Sequence, residues 1–197
     1  QKRKNEHFYK QAKKEGYRSR AAYKLKQLND KFNFIKSGDI VLDLGAAPGS
    51  WMQFSREKVG EEGFVLGVDL EEIEKLDYEN VKTLEGDITE SETVKMIQEQ
   101  LPDSPDVIVS DAAPDITGVW DVDHARSVDL CRSVLKIANQ ILRDDGNLLV
   151  KVFQGEFFEE LRGDFKKEFS FSKASKPKAS RKRSSEIYLI GKGYSRE

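Results

Sequence analysis

A single cysteine, Cys131, stands in a chain of 197 residues, which leaves neither a disulfide framework nor a thiolate metal cage within reach. Its neighbours Val128, Leu130, Val134 and Leu135 mark it as a small buried apolar residue. The two histidines, His7 and His124, stand apart from other ligand types, so no structural metal is expected. Long apolar runs are also missing. The longest, such as Ile40 to Leu44 and Leu148 to Val150, fall far short of the roughly 20 residues that cross a bilayer, and no signal-peptide core follows the polar start. Together these absences exclude a disulfide scaffold, a zinc module and a helical membrane protein. They leave the expectation of a cytoplasmic protein forming one domain over residues 1–197.

Charge, by contrast, is abundant and unevenly spread. The formal net charge is only -2, yet residues 1–26 hold ten Lys/Arg against two acids and residues 173–197 hold eight against two, so the middle of the chain is strongly acidic. A charge run is usually a solvated face. Two basic runs at opposite ends of one domain form a single phosphate-binding surface if the termini lie together. The candidates are the N-terminal segment 1–18 and a loop at 175–184, with Lys2, Arg3, Lys4, Lys13, Lys14, Arg18, Arg20 and the run from Lys176 to Arg183.

Hydrophobic periodicity supplies the architecture. Ala21, Leu25, Leu28, Phe32 and Ile35 recur at helical spacing, with Ser19 as N-cap and Gly38 as stop. Candidate strands follow at Ile40–Leu44, Phe64–Asp69, Val81–Glu85, Val107–Asp111, Asn147–Val152, Phe169–Ala174 and Ser185–Ile190. Between them lie helical stretches at Trp51–Val59, Ser91–Gln100, Val122–Arg143 and Glu156–Lys167. Alternation of this kind implies an α/β fold with a mostly parallel sheet and helices on both faces. The basic loop before the last strand is too short for a crossover, so that strand is expected to run antiparallel.

The most informative stretch is Asp43-Leu-Gly-Ala-Ala-Pro-Gly-Ser-Trp51, in which an apolar strand passes through a loop of small residues into a helix. Gly45 and Gly49 let backbone approach a ligand, and the amides at the helix start favour its polar part. A nicotinamide cofactor is disfavoured because Ala47 and Pro48 break the Gly-x-Gly-x-x-Gly spacing. Asp69 ends the second strand, where a carboxylate accepts from ribose hydroxyls. Asp87 follows the third, where it can accept from an adenine amino group while Ile88 packs on the ring. Each acid alone is as readily a solvated loop carboxylate; at successive strand ends they favour a nucleoside cofactor.

Five segments in order then resemble the RrmJ/FtsJ family of ribosomal RNA large-subunit ribose 2′-O-methyltransferases: Gly16 to Leu25, Asp43 to Trp51, Ser110-Asp-Ala-Ala-Pro114, Leu149-Val-Lys-Val-Phe-Gln-Gly155 and Ser184-Ser-Glu-Ile-Tyr188. The resemblance implies a seven-stranded, Rossmann-like methyltransferase sheet that binds S-adenosyl-L-methionine through Gly49, Trp51, Asp69, Asp87 and Asp111. It also implies a catalytic tetrad of Lys24, Asp111, Lys151 and Glu186. Ser50 and Asp115 depart from relatives that carry Gly and Asn there, without removing a catalytic group. No appended RNA-binding domain of the kind seen in some archaeal relatives is expected.

Three of the four tetrad residues also converge on topology. Asp111 ends the fourth strand and Lys151 lies near the end of the fifth. An antiparallel last strand brings Glu186 to the same sheet edge, where ligands bind in open α/β folds. The position of Lys24 rests on the resemblance. Lys151 interrupts a strand that is otherwise apolar, where an unpaired charge is costly, and it is the expected general base for the hydroxyl proton. For each of the four the alternative is an ordinary salt bridge.

The expected partner is RNA, as large-subunit ribosomal RNA or the ribosomal particle, with no DNA, no membrane and a monomeric state. The alternatives are methylation of a tRNA anticodon loop, a noncatalytic RNA-binding assembly factor, and a small-molecule methyltransferase, which would leave the two basic ends unexplained.

Overall fold

The strands at the middle of the sheet are apolar on both sides because both sides are covered. In the computed structural model, which describes residues 2–181 and 183–196 but not the side chains of residues 2–5, the core strands β1 (Ile40–Leu44), β4 (Val107–Ser110) and β5 (Asn147–Phe153) are almost entirely buried. β2 (Phe64–Asp69) is buried likewise, whereas β3 (Val81–Glu85) and β6 (Phe169–Ser175) lie at the edges and expose much of their length. This is how parallel strands read when helices cover both faces. The seven strands, ending with β7 (Glu186–Tyr194), run in the order β3-β2-β1-β4-β5-β7-β6. Pairing is parallel from β3 through β5, and β7 is antiparallel to both neighbours, as expected for a hairpin joining the last two strands.

Helices α4 (Ser91–Gln100), α5 (Trp120–Ile141) and α6 (Phe158–Glu168) cover one face of this sheet. Their Ile97, Val134 and Phe165 pack with Leu42, Leu148 and Val150. Cys131 is buried among them, and burial pushes its thiol up to about 12. On the other face α1 (Lys2–Glu15), α2 (Ala22–Phe32) and α3 (Ser50–Val59) place Ala12, Leu25 and Phe54 against Val41, Val109 and Leu149. Among the described residues no helix is long and apolar enough to cross a membrane.

Two expectations change. The first helix of the periodic pattern begins at Ala22, and Ser19 instead accepts from the Ala21 amide at 3.2 Å and shares a 2.8 Å hydroxyl contact with Ser50. The helix ends at Phe32, six residues before Gly38, because Asn33 turns left-handed at φ 48° and Asn29 Oδ1 takes the amides of Phe34 and Ile35 at 3.1 and 2.8 Å. A side chain that satisfies backbone donors in this way competes with helix continuation. Ile35 keeps the helical period but is buried from a turn. The basic N-terminal segment is itself a helix, anchored where Phe8 meets Tyr23 and where Tyr23 donates to Glu15 at 2.8 Å.

Candidate active site

The strand order reverses direction between β1 and β4, so their carboxyl ends open a crevice. The loops leaving them touch there. Gly45 has φ +77°, and a Cβ on it would lie 2.5 Å from the Ala112 Cβ, so only glycine lets the loop after β1 pass the loop after β4. Ser110 ties the pair by donating to the Leu44 carbonyl at 2.8 Å.

A cavity of about 600 Å³ occupies this crevice, walled by the loops that follow β1, β2, β3 and β4 and by one stripe of α5. Gly45, Asp69, Asp87, Ile88 and Asp111 all line it. Asp69 also braces the glycine loop, accepting from the Ala47 amide at 2.9 Å. Asp87 is held by the Thr89 amide and hydroxyl at 2.8 and 2.7 Å, the hydroxyl above all keeping its carboxyl below the usual range. The other three expected cofactor residues stand behind the wall. Gly49, buried, opens α3. Trp51 donates its indole N–H to the Ala21 carbonyl at 2.8 Å. Asp43 is fully buried, and neither of its oxygens has a hydrogen-bond partner among the described residues. Burial, reinforced by the charges of Asp111 and Asp69, pushes its carboxyl well above the usual range.

Acids at the ends of β1, β2 and β4, one of them orphaned, make a site whose unmet electrostatic need is positive charge. A cavity of this volume accommodates a nucleoside-sized ligand. Asp69, Asp87 and Asp111 present their carboxyl groups to this cavity, and Asp43 lies buried behind its wall.

From Asp111 the three other expected residues, Lys151, Glu186 and Lys24, continue beyond the cavity as an unbroken chain of ion pairs. Lys24 Nζ lies 3.3 Å from Glu186 Oε2, Lys151 Nζ lies 3.8 Å from Glu186 Oε1, and Lys151 Nζ lies 3.3 Å from Asp111 Oδ1. Strand register sets this geometry: β5 and β7 pair Lys151 with Tyr188, and Glu186 lies two residues before Tyr188, so Lys151, Glu186 and Tyr188 point to the face on which α2 delivers Lys24. The Lys151 side chain is only 8% exposed, and a lysine so buried persists where carboxylates compensate it. Burial alone would raise the Glu186 carboxyl, but the Lys24 and Lys151 ammoniums outweigh it and hold the group below its usual range.

Several contributors escape a reading of the sequence. Tyr188 donates to Asp111 Oδ1 at 2.6 Å and lies beside Trp51, with 5.9 Å between ring centroids. Burial and the adjacent Asp111 push its hydroxyl well above the ordinary range, so it stays a donor. Its position two residues after Glu186 was the available signal, since alternate strand residues share a face. Arg126, Asp129, Leu130 and Ser133 line the cavity at helical spacing on α5. Arg18, expected at an RNA surface, is turned inward: it donates to the carbonyls of Pro48, Glu74 and Lys75 at 2.8, 2.6 and 3.1 Å and so clamps the cofactor loop.

Comparison with known proteins adds the following. A family model described as FtsJ-like methyltransferase matches residues 17–194. A ribosomal RNA large subunit methyltransferase E from Methanothrix thermoacetophila is 56% identical over 187 residues, covering 95% of this chain and 72% of that one. Its namesake from Methanocaldococcus jannaschii is 50% identical over 195 residues, covering 98% and 80%. Among solved structures, a ribosomal RNA methyltransferase from Plasmodium falciparum superposes with a TM-score of 0.83 at 31% identity, over 92% of this chain and 100% of that chain. Fibrillarin from Aeropyrum pernix, with natively bound S-adenosyl-L-methionine, shares the fold with a TM-score of 0.61 at 17% identity, over 89% and 75%.

Proposed function

The chain belongs to the FtsJ-like methyltransferase family, and on that premise we propose that it methylates a ribose 2′-hydroxyl of large-subunit ribosomal RNA, with Lys151 as the general base. The observation that carries this reading is the placement of Lys151 Nζ between Glu186 and Asp111, at 3.8 and 3.3 Å, with Asp111 itself lining the cavity. When bound, S-adenosyl-L-methionine would supply a methyl group made electrophilic by its sulfonium; Asp69, Asp87 and Ile88 would hold the nucleoside part and Asp111 the cationic part.

The chain's own work is mostly positioning, because an in-line displacement needs its two reactants aligned. Asp111 and Glu186 fix the Lys151 amine, and Tyr188 fixes Asp111 in turn. In its neutral form the Lys151 amine takes the proton that the 2′-hydroxyl loses as the new bond forms. Lys24 and Glu186 hold the ribose from the other side.

RNA as the substrate agrees with both the relatives' names and the charge layout, since a 2′-hydroxyl marks RNA. The basic loop before β7 docks on α2, the helix against which basic α1 also packs through Phe8 and Tyr23. The Ala179 amide in the loop before β7 donates to Gln27 Oε1 on α2 at 2.9 Å, and Lys31 donates to Ser175 at 3.1 Å. Lys13 and Lys14 on α1 and Lys176, Lys178, Arg181 and Arg183 in the loop are exposed. The side chains of Lys2, Arg3 and Lys4, and Lys182, lie outside the described residues. A monomer acting in the cytoplasm completes the proposal.

The test is transfer of label from S-adenosyl-L-methionine to ribosomal particles, free large-subunit RNA and tRNA offered separately, followed by mapping of the modified ribose. Label at a 2′-O position of large-subunit RNA is expected. Label confined to tRNA, or to none of the three, overturns the assignment.

A further inference from the structure

At the carboxyl end of β5, beside the ion-pair chain, a ladder of aromatic rings comes to the surface. Trp120, the first residue of α5, stacks on His124 (6.2 Å, 18° between planes) and on Phe153 (6.1 Å, 26°), and Phe157 lies parallel to His124 (5.7 Å, 1°). The inner ring is fixed by the backbone on both sides. His124 Nδ1 lies 3.1 Å from the Phe153 carbonyl, and the Phe157 amide donates to its Nε2 at 3.0 Å. Yet Trp120 is 46% exposed and Phe157 40%, with Ile116 and Val119 exposed beside them. Single exposed apolar residues are ordinary. A rigid stack of rings with two members open to solvent, next to a reaction site, is a surface prepared for another flat ring.

Resting on the proposed function, the geometry points to Trp120, supported by Phe157, as a stacking platform for an unpaired nucleobase of the RNA substrate, one that neighbours the methylated nucleotide. Location favours this occupant. Phe153 pairs in register with Glu186 and follows Lys151 by two residues, so the platform adjoins the place where the ribose must sit. The basic surface is carried by α1, α2 and the loop on one face of the sheet, while α5 belongs to the opposite face. A strand crossing the carboxyl edge therefore meets the cationic surface, then the ion-pair chain, then the rings. Asp115 and Asp121 flank the platform and are exposed, which disfavours phosphate there and leaves the ring face as the contact. Base–aromatic stacking tolerates any sequence, since every base presents a π-face. Trp120 acts here as a positioning residue for the bound strand and takes no part in the chemistry.

The experiment compares wild type with Trp120→Ala, Trp120→Phe and Trp120→Leu on the RNA that the wild type methylates. The expected result is a KM for RNA about ten-fold higher in Trp120→Ala and Trp120→Leu, largely rescued in Trp120→Phe. The KM for S-adenosyl-L-methionine and the salt dependence of RNA binding are expected to be unchanged. RNA is also expected to quench tryptophan emission in the wild type but much less in Trp120→Phe, which retains only the buried Trp51. A wild type that methylates RNA while Trp120→Ala keeps its KM within two-fold, or while Trp120→Leu matches Trp120→Phe, overturns the platform alone. A wild type that methylates no RNA overturns the parent reading and the platform with it.

Discussion

Asp43 is the least comfortable side chain in the molecule, a carboxyl fully buried with no hydrogen-bond partner among the described residues. Its pKa is raised in the folded state, by burial first. The unfolded chain ionises near pH 4, so folding above that pH requires proton uptake or a buried anion. The stability cost is absent below the unfolded pKa and grows as pH rises toward the folded value. Asp43→Asn is therefore expected to raise the melting temperature of the cofactor-free protein at pH 8 by at least about 2 °C, with the gain shrinking toward pH 4, as thermal denaturation at the two pH values would show. The same change should weaken binding of a cationic cofactor. The sequence marked Asp43 as part of the loop motif, and marked Lys151 by the oddity of a lysine within an apolar strand. It left the role of Tyr188 unread and put Arg18 at an RNA surface, because the Tyr188 hydroxyl contact with Asp111 and the Arg18 clamp on three carbonyls exist only once separate segments meet.

At the scale of elements, the loop after β1 depends on close passage past the loop after β4. Gly45→Ala combines a left-handed φ with a Cβ 2.5 Å from Ala112, so it is expected to destabilise the fold by about 2 kcal/mol and to lower cofactor affinity at least ten-fold. Gly38 is the control: its φ is +84° but nothing lies within 4 Å of a Cβ there. Gly38→Ala should cost about 1 kcal/mol and leave cofactor affinity intact, as calorimetry on both variants would reveal. The strands were legible because continuous apolar runs mean burial on both faces, and every strand start but the last agrees with the structure. β4 stops at Ser110, one residue short of expectation, and β7 continues to Tyr194. Helix α1 was not legible: it is mostly Lys, Gln and Glu, and among its described side chains Phe8 and Ala12 are the ones that join the core. α2 was read too long because Ile35 continued its period from beyond its end.

For the whole molecule, the decisive arrangement is a basic loop and a basic N-terminal helix that both pack on α2, in a chain whose cavity is lined with acids. Counterion release ties affinity for RNA to salt through the number of phosphates neutralised. Replacing Lys178, Arg181 and Arg183 together by Ala should flatten the log–log salt dependence of RNA binding by about 2, while leaving cofactor binding unchanged; an unaltered slope would place the RNA elsewhere. Charge asymmetry was visible in the sequence, and so was the gathering of Asp111, Lys151 and Glu186. The approach of Lys24 to Glu186 depends on how α2 docks, which only the packed structure fixes. The central claim, that Lys151 removes the proton from the ribose 2′-hydroxyl, is tested most directly by single-turnover methyl transfer to large-subunit RNA with Lys151→Met, which keeps the side-chain volume and removes the amine. The account predicts a rate lower by about 10² to 10⁴-fold with the affinity for S-adenosyl-L-methionine unchanged, and transfer at the parental rate would contradict it.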